Sequence, residues 1–395
     1  MLPKGLHPLN HVKFRQYCLG ISQAALPKMK QRLRLSRNAW LRLASKINRN
    51  RSRAGPGTRL MYYSASATNS FLAKMQAVAY AEALAKVEVP PPIVLLGFWR
   101  SGTTFLHELF CCDARFGFPS TYACMNAAHF LLTEQGFQKR RGKEQAYRPM
   151  DNMQYSWASP QEDEFALLCM GAPSPYQALL VPSLMSDSRT LLDLRHGSTE
   201  QQHRWKQTVQ LFLRELTVQQ SKPMVLKSPT HGFRLSFLPS LFPGARFVII
   251  ERNPYEVFAS NLKLWQTLLD MYSLESYSAE QIQNFVLAAY LIHEETIAEG
   301  MRSLGPGTVS RVRYEDLVAD PLAEIRRIYS ELKLSGFHEA EPALLQHIAS
   351  VSNHQRNRFV LSPAQKEAVD EEWGPLIRDK GYKWPANWLS LKSSA

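Results

Sequence analysis

The feature that most constrains the fold is a short apolar segment that runs into a glycine-containing turn. Residues 93–96 read Ile-Val-Leu-Leu, the turn is bracketed by Gly97 and Gly102, and a helix-like run, Thr103–Cys112, follows. A continuous apolar run of this length between turn signals is typical of a strand buried on both faces, and such strands occur in parallel sheets. The segment therefore predicts an α/β fold.

The same strand-then-helix pattern returns three times along the chain. The further predicted strands are Met224–Lys227, Ala245–Glu251 and Thr308–Tyr314. The helices expected after them are Phe233–Phe242, Pro254–Leu268 and Pro321–Leu334. Apolar strands that alternate with helices pair in parallel through helical crossovers. We therefore predict a P-loop-like parallel sheet flanked by helices, with large helical insertions (Ala114–Gln220 and Glu275–Met301) over its carboxyl edge, where such folds place ligands.

The positive charge of the chain is concentrated at its beginning. The formal net charge is +13, and fifteen of the 47 Lys and Arg residues precede Glu82, the first acidic residue. The remainder holds 32 basic and 34 acidic residues, which argues against nucleic acid as a partner of the body. We predict a basic helical N-terminal extension, residues 1–85, and a nearly neutral body, residues 86–395.

The basic beginning has three interpretations. Contact with anionic lipid, packing across the body and an organelle-targeting segment each account for an acid-free stretch rich in Arg and Ser. No run approaches the roughly 18 to 20 apolar residues of a membrane span, and the N-terminus lacks the apolar core of a secretory signal. The five cysteines form no CxxC pair, which fits a reducing compartment. We expect a cytoplasmic protein, with peripheral membrane contact left open.

The turn at residues 97–104 has the spacing of a phosphate-binding loop but lacks its lysine. The sequence Gly-Phe-Trp-Arg-Ser-Gly-Thr-Thr keeps the GxxxxG spacing of the Walker A loop, and Thr103 stands at the lysine position. Backbone N–H groups and the following helix N-terminus can still hold an anion. Because the positive charge has moved to Arg100, we predict a phosphorylated ligand without a β/γ-phosphate arrangement. The alternative is an ordinary turn that binds nothing.

A second candidate phosphate site follows the third predicted strand. Arg252 comes directly after this strand, and Ser260 lies about two turns into the next helix. A guanidinium group and a hydroxyl placed in this way suit a phosphate. An ion pair of Arg252 with Glu251 or Glu256 is an equally good interpretation of the sequence.

Taken together, the two motifs resemble those of the sulfotransferases that use 3′-phosphoadenosine 5′-phosphosulfate (PAPS). The resemblance covers about residues 90–385 and is closest to the bacterial-type branch, which has a loop Arg in place of Lys. Lys227 in the sequence Lys-Ser-Pro-Thr-His agrees with it, as does Arg313-Tyr-Glu-Asp-Leu followed by Pro321. The resemblance implies that residues 86–395 form a sulfotransferase domain, that PAPS is the sulfate donor and that no metal is required.

The resemblance also implies roles for individual residues. The donor site would consist of Arg100, Ser101, Gly102, Thr103 and Thr104 around the 5′-phosphosulfate, with Arg252 and Ser260 on the 3′-phosphate. Lys227 and Arg100 are the candidates for charge stabilisation during transfer. The segment His354–Phe359 replaces the glycine-rich C-terminal motif of the cytosolic branch, so either Arg356 or Arg358 is a further candidate for the 3′-phosphate. A solvated basic helix end is the alternative for Arg358.

Two groups are candidates for the general base that an acceptor hydroxyl needs. The first is the acidic cluster at residues 162–164, in which we name Glu162 because related sequences use a carboxylate. The alternative for Glu162 is a helix capping box with Ser159, with Pro160 at the first helical position. The second candidate is His231, four residues after Lys227 rather than two as in the cytosolic branch. Its alternative is a structural histidine.

The predicted function is transfer of a sulfuryl group from PAPS to a hydroxyl of an apolar or amphipathic acceptor, either a small molecule or a lipid-like one. The segments expected to line the acceptor site are rich in aromatic residues and Met: Tyr122–Leu132, Met150–Tyr155 and Trp265–Tyr277. Ordinary core packing is the alternative for these segments. A small-molecule kinase with a degenerate P-loop and a non-catalytic nucleotide- or membrane-binding module are the rival functions. The missing Walker lysine argues against the kinase.

Overall fold

The computed structural model describes residues 33–141, 145–147, 154–351, 361–385 and 388. The strands of these residues are β1 (Ile93–Leu96), β2 (Gln145–Tyr147), β3 (Gln154–Ser156), β4 (Val225–Lys227), β5 (Arg246–Glu251) and β6 (Val309–Arg313). The helices are α1 (Arg37–Ala44), α2 (Pro56–Ala79), α3 (Ala81–Lys86), α4 (Thr103–Cys111), α5 (Thr121–Met125), α6 (Phe130–Arg141), α7 (Glu164–Met170), α8 (Gln177–Leu180), α9 (Ser188–Leu192), α10 (Thr199–Gln220), α11 (Leu238–Leu241), α12 (Pro254–Tyr272), α13 (Ala279–Met301), α14 (Tyr314–Ala319), α15 (Pro321–Glu331), α16 (Phe337–Val351) and α17 (Pro363–Asp379).

A four-stranded parallel sheet organises these elements, in the order β4-β1-β5-β6. In the central register Val94 lies opposite Leu226 on one side and Phe247 on the other. Successive side chains of β1 point to opposite faces, and both faces are buried: Val94 belongs to one apolar cluster and Leu95 to a second. The prediction of a parallel sheet flanked by helices is thus confirmed.

Two predicted elements differ from the observed ones. The segment Phe233–Phe242 was expected to be one α-helix, but a 3₁₀-helix runs over Pro229–Phe237 and is followed by the single turn α11. A proline stands at the beginning of each piece, where its fixed φ and missing N–H favour a new start over a continuous helix. The insertion after Ala114, expected to be mainly helical, also contains the antiparallel pair β2–β3.

The described part of the N-terminal segment packs on the body. Leu35, Trp40 and Tyr62 are buried in the larger apolar cluster, which continues into the sheet. The amide of Ser36 donates a hydrogen bond to the carbonyl of Cys169 (2.7 Å), and the Arg42 guanidinium donates to the carbonyl of Gly171 (3.0 Å). Of the three interpretations of the basic beginning, packing across the body therefore applies to residues 33–86. The boundary at residue 85 stays a prediction, and residues 1–32 lie outside the described part.

Helices long enough to reach across a bilayer occur in the described residues, but none is apolar enough to span one.

The turn between β1 and α4 depends on two glycines for two different reasons. Gly102 has φ +99°, and a Cβ added there would lie 2.2 Å from the Tyr314 ring at the start of α14. Gly97 has no unusual φ, but a Cβ there would lie 2.6 Å from Ser101 Oγ and 2.7 Å from the carbonyl oxygen of Ile250. The first glycine is required by backbone conformation and contact, the second by contact alone.

We predict that Gly102→Ala lowers the free energy of unfolding by at least about 1–3 kcal/mol, because the left-handed backbone and the Tyr314 ring both oppose a methyl group. Thermal and urea unfolding measure the change. Gly57→Ala is the matched control, since a Cβ at Gly57 meets no atom within 4 Å, and its effect should stay within about 1 kcal/mol. Equal stability of the two variants would contradict this account of the turn.

A buried carboxyl group beneath α2 predicts a pH dependence of stability. Glu215 of α10 accepts a hydrogen bond from Gln76 of α2 (2.9 Å), and burial raises the pKa of Glu215 from 4.5 to about 7. Between pH 4.5 and about pH 7, Glu215 therefore keeps its proton in the folded protein and has lost it in the unfolded chain. This group therefore lowers the free energy of unfolding as pH rises from 4.5 to 7, by on the order of 3 kcal/mol.

Glu215→Gln should remove that part of the pH dependence while keeping a hydrogen bond to Gln76. Urea unfolding of wild type and variant between pH 5 and about 8 measures the difference, which should grow in favour of the variant as pH rises. Glu280→Gln, at an exposed position on α13, is the control and should leave the profile unchanged. Parallel stability curves for wild type and Glu215→Gln would show that Glu215 is ionised in the folded protein throughout.

Candidate active site

The turn after β1 offers an anion-binding cradle. No side chain of the described residues caps α4, so the amides of its first turn lack the partner that most helices supply. The Ser101 side chain is buried, and its Oγ has no hydrogen-bond partner in the described part of the chain. Unpaired amides and a buried hydroxyl next to a helix N-terminus are the groups that hold a phosphate or sulfate. The residues present therefore fit such a group.

The structure brings the two sequence motifs into direct contact. Arg100 Nε donates a hydrogen bond to Ser260 Oγ (2.8 Å), and Arg252 Nη1 donates to the carbonyl oxygen of Arg100 (3.1 Å). The Arg252 guanidinium also lies 4.3 Å from the centre of the Tyr314 ring. Loop and second motif therefore form one cationic surface at the carboxyl ends of β1 and β5.

Arg252 also forms the ion pair that the sequence left open as its alternative. The partner is Glu256 one helical turn away, which accepts from Arg252 Nε at 3.0 Å. Glu251 instead faces Lys380 (3.1 Å). Arg252 is thus held in position by Glu256 and by the loop carbonyl before any ligand is considered.

Lys227 lies between the loop and the acidic cluster. Leu95 of β1 and Lys227 of β4 are opposite each other in the parallel sheet, so the lysine emerges at the same edge as the turn. Its Nζ lies 2.9 Å from Glu162 Oε1 and 3.5 Å from Thr104 Oγ1. The Lys227 side chain is only 3% exposed while that of Glu162 is 15% exposed, so the carboxylate forms the accessible side of the pair.

The capping-box interpretation of Glu162 is wrong. Helix α7 begins at Glu164 rather than after Ser159, and its N-cap, Asp163, makes no side-chain cap. The Ser159 hydroxyl accepts from the amide of Ser156 (2.9 Å) in the turn after β3, which removes it from the helix altogether. Glu162 therefore has no helix-capping function and is directed at Lys227.

A tyrosine that the sequence did not reveal completes the surroundings of Glu162. The Tyr176 hydroxyl donates a hydrogen bond to Glu162 Oε2 and accepts one from Trp99 Nε1 (3.0 Å). Burial, with the charge of Glu162 as a second cause, raises the pKa of Tyr176 far above its usual value, so the hydroxyl remains a donor. Because Trp99 belongs to the phosphate loop, a hydrogen-bonded chain connects that loop to the carboxylate.

The three carboxylates of the acidic cluster each meet a different side chain of β4 or of the segment that follows it. Besides the pair of Glu162 with Lys227, Asp163 Oδ2 lies 2.7 Å from His231 Nε2, and Glu164 Oε2 accepts from Arg234 Nη1 (2.7 Å). These last two pairs are almost completely shielded from water. Burial alone raises the pKa of Asp163, but the neighbouring His231 outweighs it and lowers that pKa below its usual value.

His231 lies behind the accessible side of the site. Its side chain is 0% exposed and contacts Asp163. A buried histidine with a carboxylate partner is what the alternative, a structural histidine, predicts. Its role as a base stays a prediction. Arg358 and the whole segment 354–359 lie outside the described residues, as does most of Met150–Tyr155. In the other segments expected near the acceptor, Tyr122 packs against Phe137 and Trp265 packs against Trp99.

Comparisons with known proteins point to one family. Residues 91–339 match the model of the Sulfotransferase family. Two relatives, from Mycobacterium bovis and Mycobacterium tuberculosis, are each 34% identical to this chain over 349 residues, which is 87% of this chain and 89% of the relative. Both are described as omega-hydroxy-beta-dihydromenaquinone-9 sulfotransferase Stf3.

Solved structures agree at the level of the fold. The crystal structure of the sulfotransferase STF9 from Mycobacterium avium matches with a TM-score of 0.66 at 18% identity, covering 94% of this chain and 96% of that chain. The sulfotransferase STF1 from Mycobacterium tuberculosis matches with a TM-score of 0.58 at 19% identity, covering 85% and 90%. Since the family model spans more than half of the chain and the 34% identical relatives match over most of it, the chain belongs to the sulfotransferase family and is an enzyme that transfers sulfuryl groups.

Proposed function

We propose that the sulfate donor is PAPS and that the acceptor is a hydroxyl of a lipid-like, apolar or amphipathic molecule. The observation that carries the proposal is the position of the Lys227–Glu162 pair, which lies directly beside the anion-binding turn. A cation and a carboxylate at one point of the sheet edge supply the two functions that sulfuryl transfer to a hydroxyl needs, charge stabilisation and proton acceptance.

The proposed donor site has two anion-binding parts. A donor with phosphate groups on the 3′ and 5′ oxygens of its ribose requires two. We assign the 5′-phosphosulfate to the backbone and side chains of Ser101, Gly102, Thr103 and Thr104. Arg252 and Ser260 are assigned to the 3′-phosphate, and Arg358 remains a further candidate for it. The contact of Arg100 with Ser260 supports a role for Arg100 between the two parts.

In the proposed reaction PAPS supplies a sulfuryl group on a phosphate leaving group. The acceptor oxygen forms a bond to sulfur while the bond from sulfur to the phosphate oxygen breaks. Glu162 takes the proton of the acceptor hydroxyl, and Lys227 and Arg100 stabilise the negative charge that develops on the departing oxygen. Tyr176 holds one oxygen of Glu162, which leaves the carboxylate in a fixed orientation toward the acceptor.

The lipid-like acceptor is supported by the relatives. The two that are 34% identical are named for a hydroxylated menaquinone, and the match extends over most of both chains. We therefore propose an acceptor with a long apolar portion and one reactive hydroxyl. A cytoplasmic enzyme in peripheral contact with a membrane would meet such a molecule, and the basic N-terminal part of the chain is the proposed point of contact.

The proposed function predicts donor-dependent turnover. Purified protein with PAPS and a panel of hydroxylated isoprenoid quinones and polyprenols should release adenosine 3′,5′-bisphosphate, and PAPS should raise the melting temperature. Arg100→Ala should lose that thermal shift, because a cation that contacts both parts of the donor site is removed. ATP serves as the control nucleotide and should give a smaller shift. Absence of both turnover and a PAPS-specific shift would reject the donor, whereas a shift without turnover on any acceptor would indicate a binding module.

The proposed base predicts a separation of binding from chemistry. Glu162→Gln should lower kcat by roughly 10²-fold or more while the PAPS-dependent thermal shift is retained. Tyr176→Phe should also lower kcat, by a smaller factor, and retain the PAPS-dependent thermal shift, because the carboxylate loses one of the two hydrogen bonds that fix its orientation. Tyr329→Phe removes a similar tyrosine–carboxylate bond, to Asp113, away from the site and is the control. An unchanged kcat in Glu162→Gln would reject Glu162 as the base, and an unchanged kcat in Tyr176→Phe would reject the orienting role of Tyr176.

A further inference from the structure

Helix α2 buries mainly polar side chains and exposes four large apolar ones. The residues it buries are Tyr62, Ser66, Asn69 and Gln76. Asn69 Nδ2 donates to the carbonyl of Leu35 (3.1 Å), and Gln76 Nε2 donates to Glu215 (2.9 Å). The helix is therefore anchored to the body through these hydrogen bonds and through Tyr62, which stacks on Trp40 in the larger apolar cluster. The usual surface helix of a protein in water has the opposite arrangement, with its apolar stripe facing the core.

The outer face of α2 carries four large apolar side chains, which we call the α2 stripe. They are exposed to 69% (Leu60), 62% (Phe71), 50% (Met75) and 78% (Val78). At 3.6 residues per turn these positions fall within roughly 60° of one another, about opposite the buried face. Phe71, Met75 and Val78 are neighbours on this face, and Leu60 lies on the same face beyond Ser64 and Ala67. Scattered exposed apolar residues are normal, but large apolar side chains aligned on one face of a helix mark an interaction site.

Every charged side chain from the start of the chain to the end of α2 is basic. Arg59 and Lys74 are exposed on α2 itself, and Arg37 of α1 donates a hydrogen bond to the hydroxyl of the adjacent Tyr63 (3.0 Å). No acidic residue occurs before Glu82, which follows in α3 and pairs with Lys86 (2.6 Å). The partner that complements this surface is apolar beneath and negatively charged at its boundary.

We propose that the α2 stripe inserts into the interfacial layer of an anionic phospholipid membrane, with Arg37, Arg59 and Lys74 on the headgroups. An apolar row flanked by cations is the arrangement by which helices lie in a membrane interface. A second copy of the chain is the less suitable occupant, because a two-fold contact would bring the same cations together without any acidic partner on α2. The inference builds on the proposed lipid-like acceptor in one respect: the membrane is where such an acceptor resides.

The test is vesicle binding by the full-length protein. Wild type should cosediment with phosphatidylcholine vesicles that contain phosphatidylglycerol and bind pure phosphatidylcholine vesicles at least about tenfold more weakly. Replacing the stripe (Leu60→Gln, Phe71→Gln, Met75→Gln and Val78→Gln together) should weaken binding by at least about tenfold. Arg59→Glu and Lys74→Glu should each weaken binding to the anionic vesicles roughly fivefold or more. Added salt should reduce the difference between wild type and these two variants. Leu211→Gln with Leu345→Gln, at exposed positions on α10 and α16, is the matched control and should bind as wild type does.

The outcomes separate this inference from the proposed function. Vesicle binding that is unchanged in the stripe variant, or absent in wild type, overturns the inference. So does a wild-type dimer in light scattering that the stripe variant converts to monomer, since the stripe would then be a protein interface. The stripe variant should keep the PAPS-dependent thermal shift and its turnover of a water-soluble acceptor. Vesicle binding by a protein without any turnover would instead leave this inference standing and reject the proposed function.

Discussion

Three neighbouring carboxylates pair with Lys227, His231 and Arg234 at the carboxyl edge of the sheet, and the site depends on this pairing. Glu164 is the first residue of α7, and Glu162 and Asp163 directly precede it, whereas their partners come from β4 and the segment after it. A buried charge without a partner is strongly unfavourable, and removing one member of a buried pair typically destabilises a protein by about 3–5 kcal/mol. The two buried pairs, of Asp163 and Glu164, therefore fix the insertion against the sheet edge. The more exposed pair, Glu162 with Lys227, lies beside the turn after β1.

The environment of Glu162 connects the proposed base to the turn after β1. Its carboxylate is held by Tyr176, and Tyr176 is held by Trp99, which lies in the turn that is proposed to bind the donor. A displacement of the turn would therefore be transmitted to the proposed base through two hydrogen bonds. Buried hydrogen-bond networks of this kind are strong when every member is paired and lose their geometry together when one is removed.

The basic side chains of the protein occur in two different arrangements. In the body single cations lie at the strand ends, each with a defined neighbour: Arg100 with Ser260, Lys227 with Glu162 and Arg252 with Glu256. In α1 and α2 the cations have no acidic residue nearby in sequence and surround an exposed apolar row. The first arrangement suits recognition of a small anionic ligand, and the second suits a broad anionic surface.

The sequence by itself determined the sheet and the donor turn, because both depend on local signals. Four apolar runs between turn residues predict the strands to within a residue or two, and the spacing of Gly97 and Gly102 predicts the turn that their contacts require. A proline at a segment boundary was the local signal that the prediction of Phe233–Phe242 as one helix did not use.

The tertiary structure alone decided which side chains meet. The capping box with Ser159, the alternative that the sequence offered for Glu162, is wrong because the helix begins later and Lys227, distant in sequence, binds the carboxylate. No local sequence pattern marks Tyr176, because its position in the site depends on hydrogen bonds to Trp99 and Glu162, which are distant in sequence. The direction of α2 was likewise decided by partners such as Glu215, which draw its polar face inward. Contacts between residues far apart along the chain leave no periodic pattern in the sequence. They can therefore be recognised only in the tertiary structure.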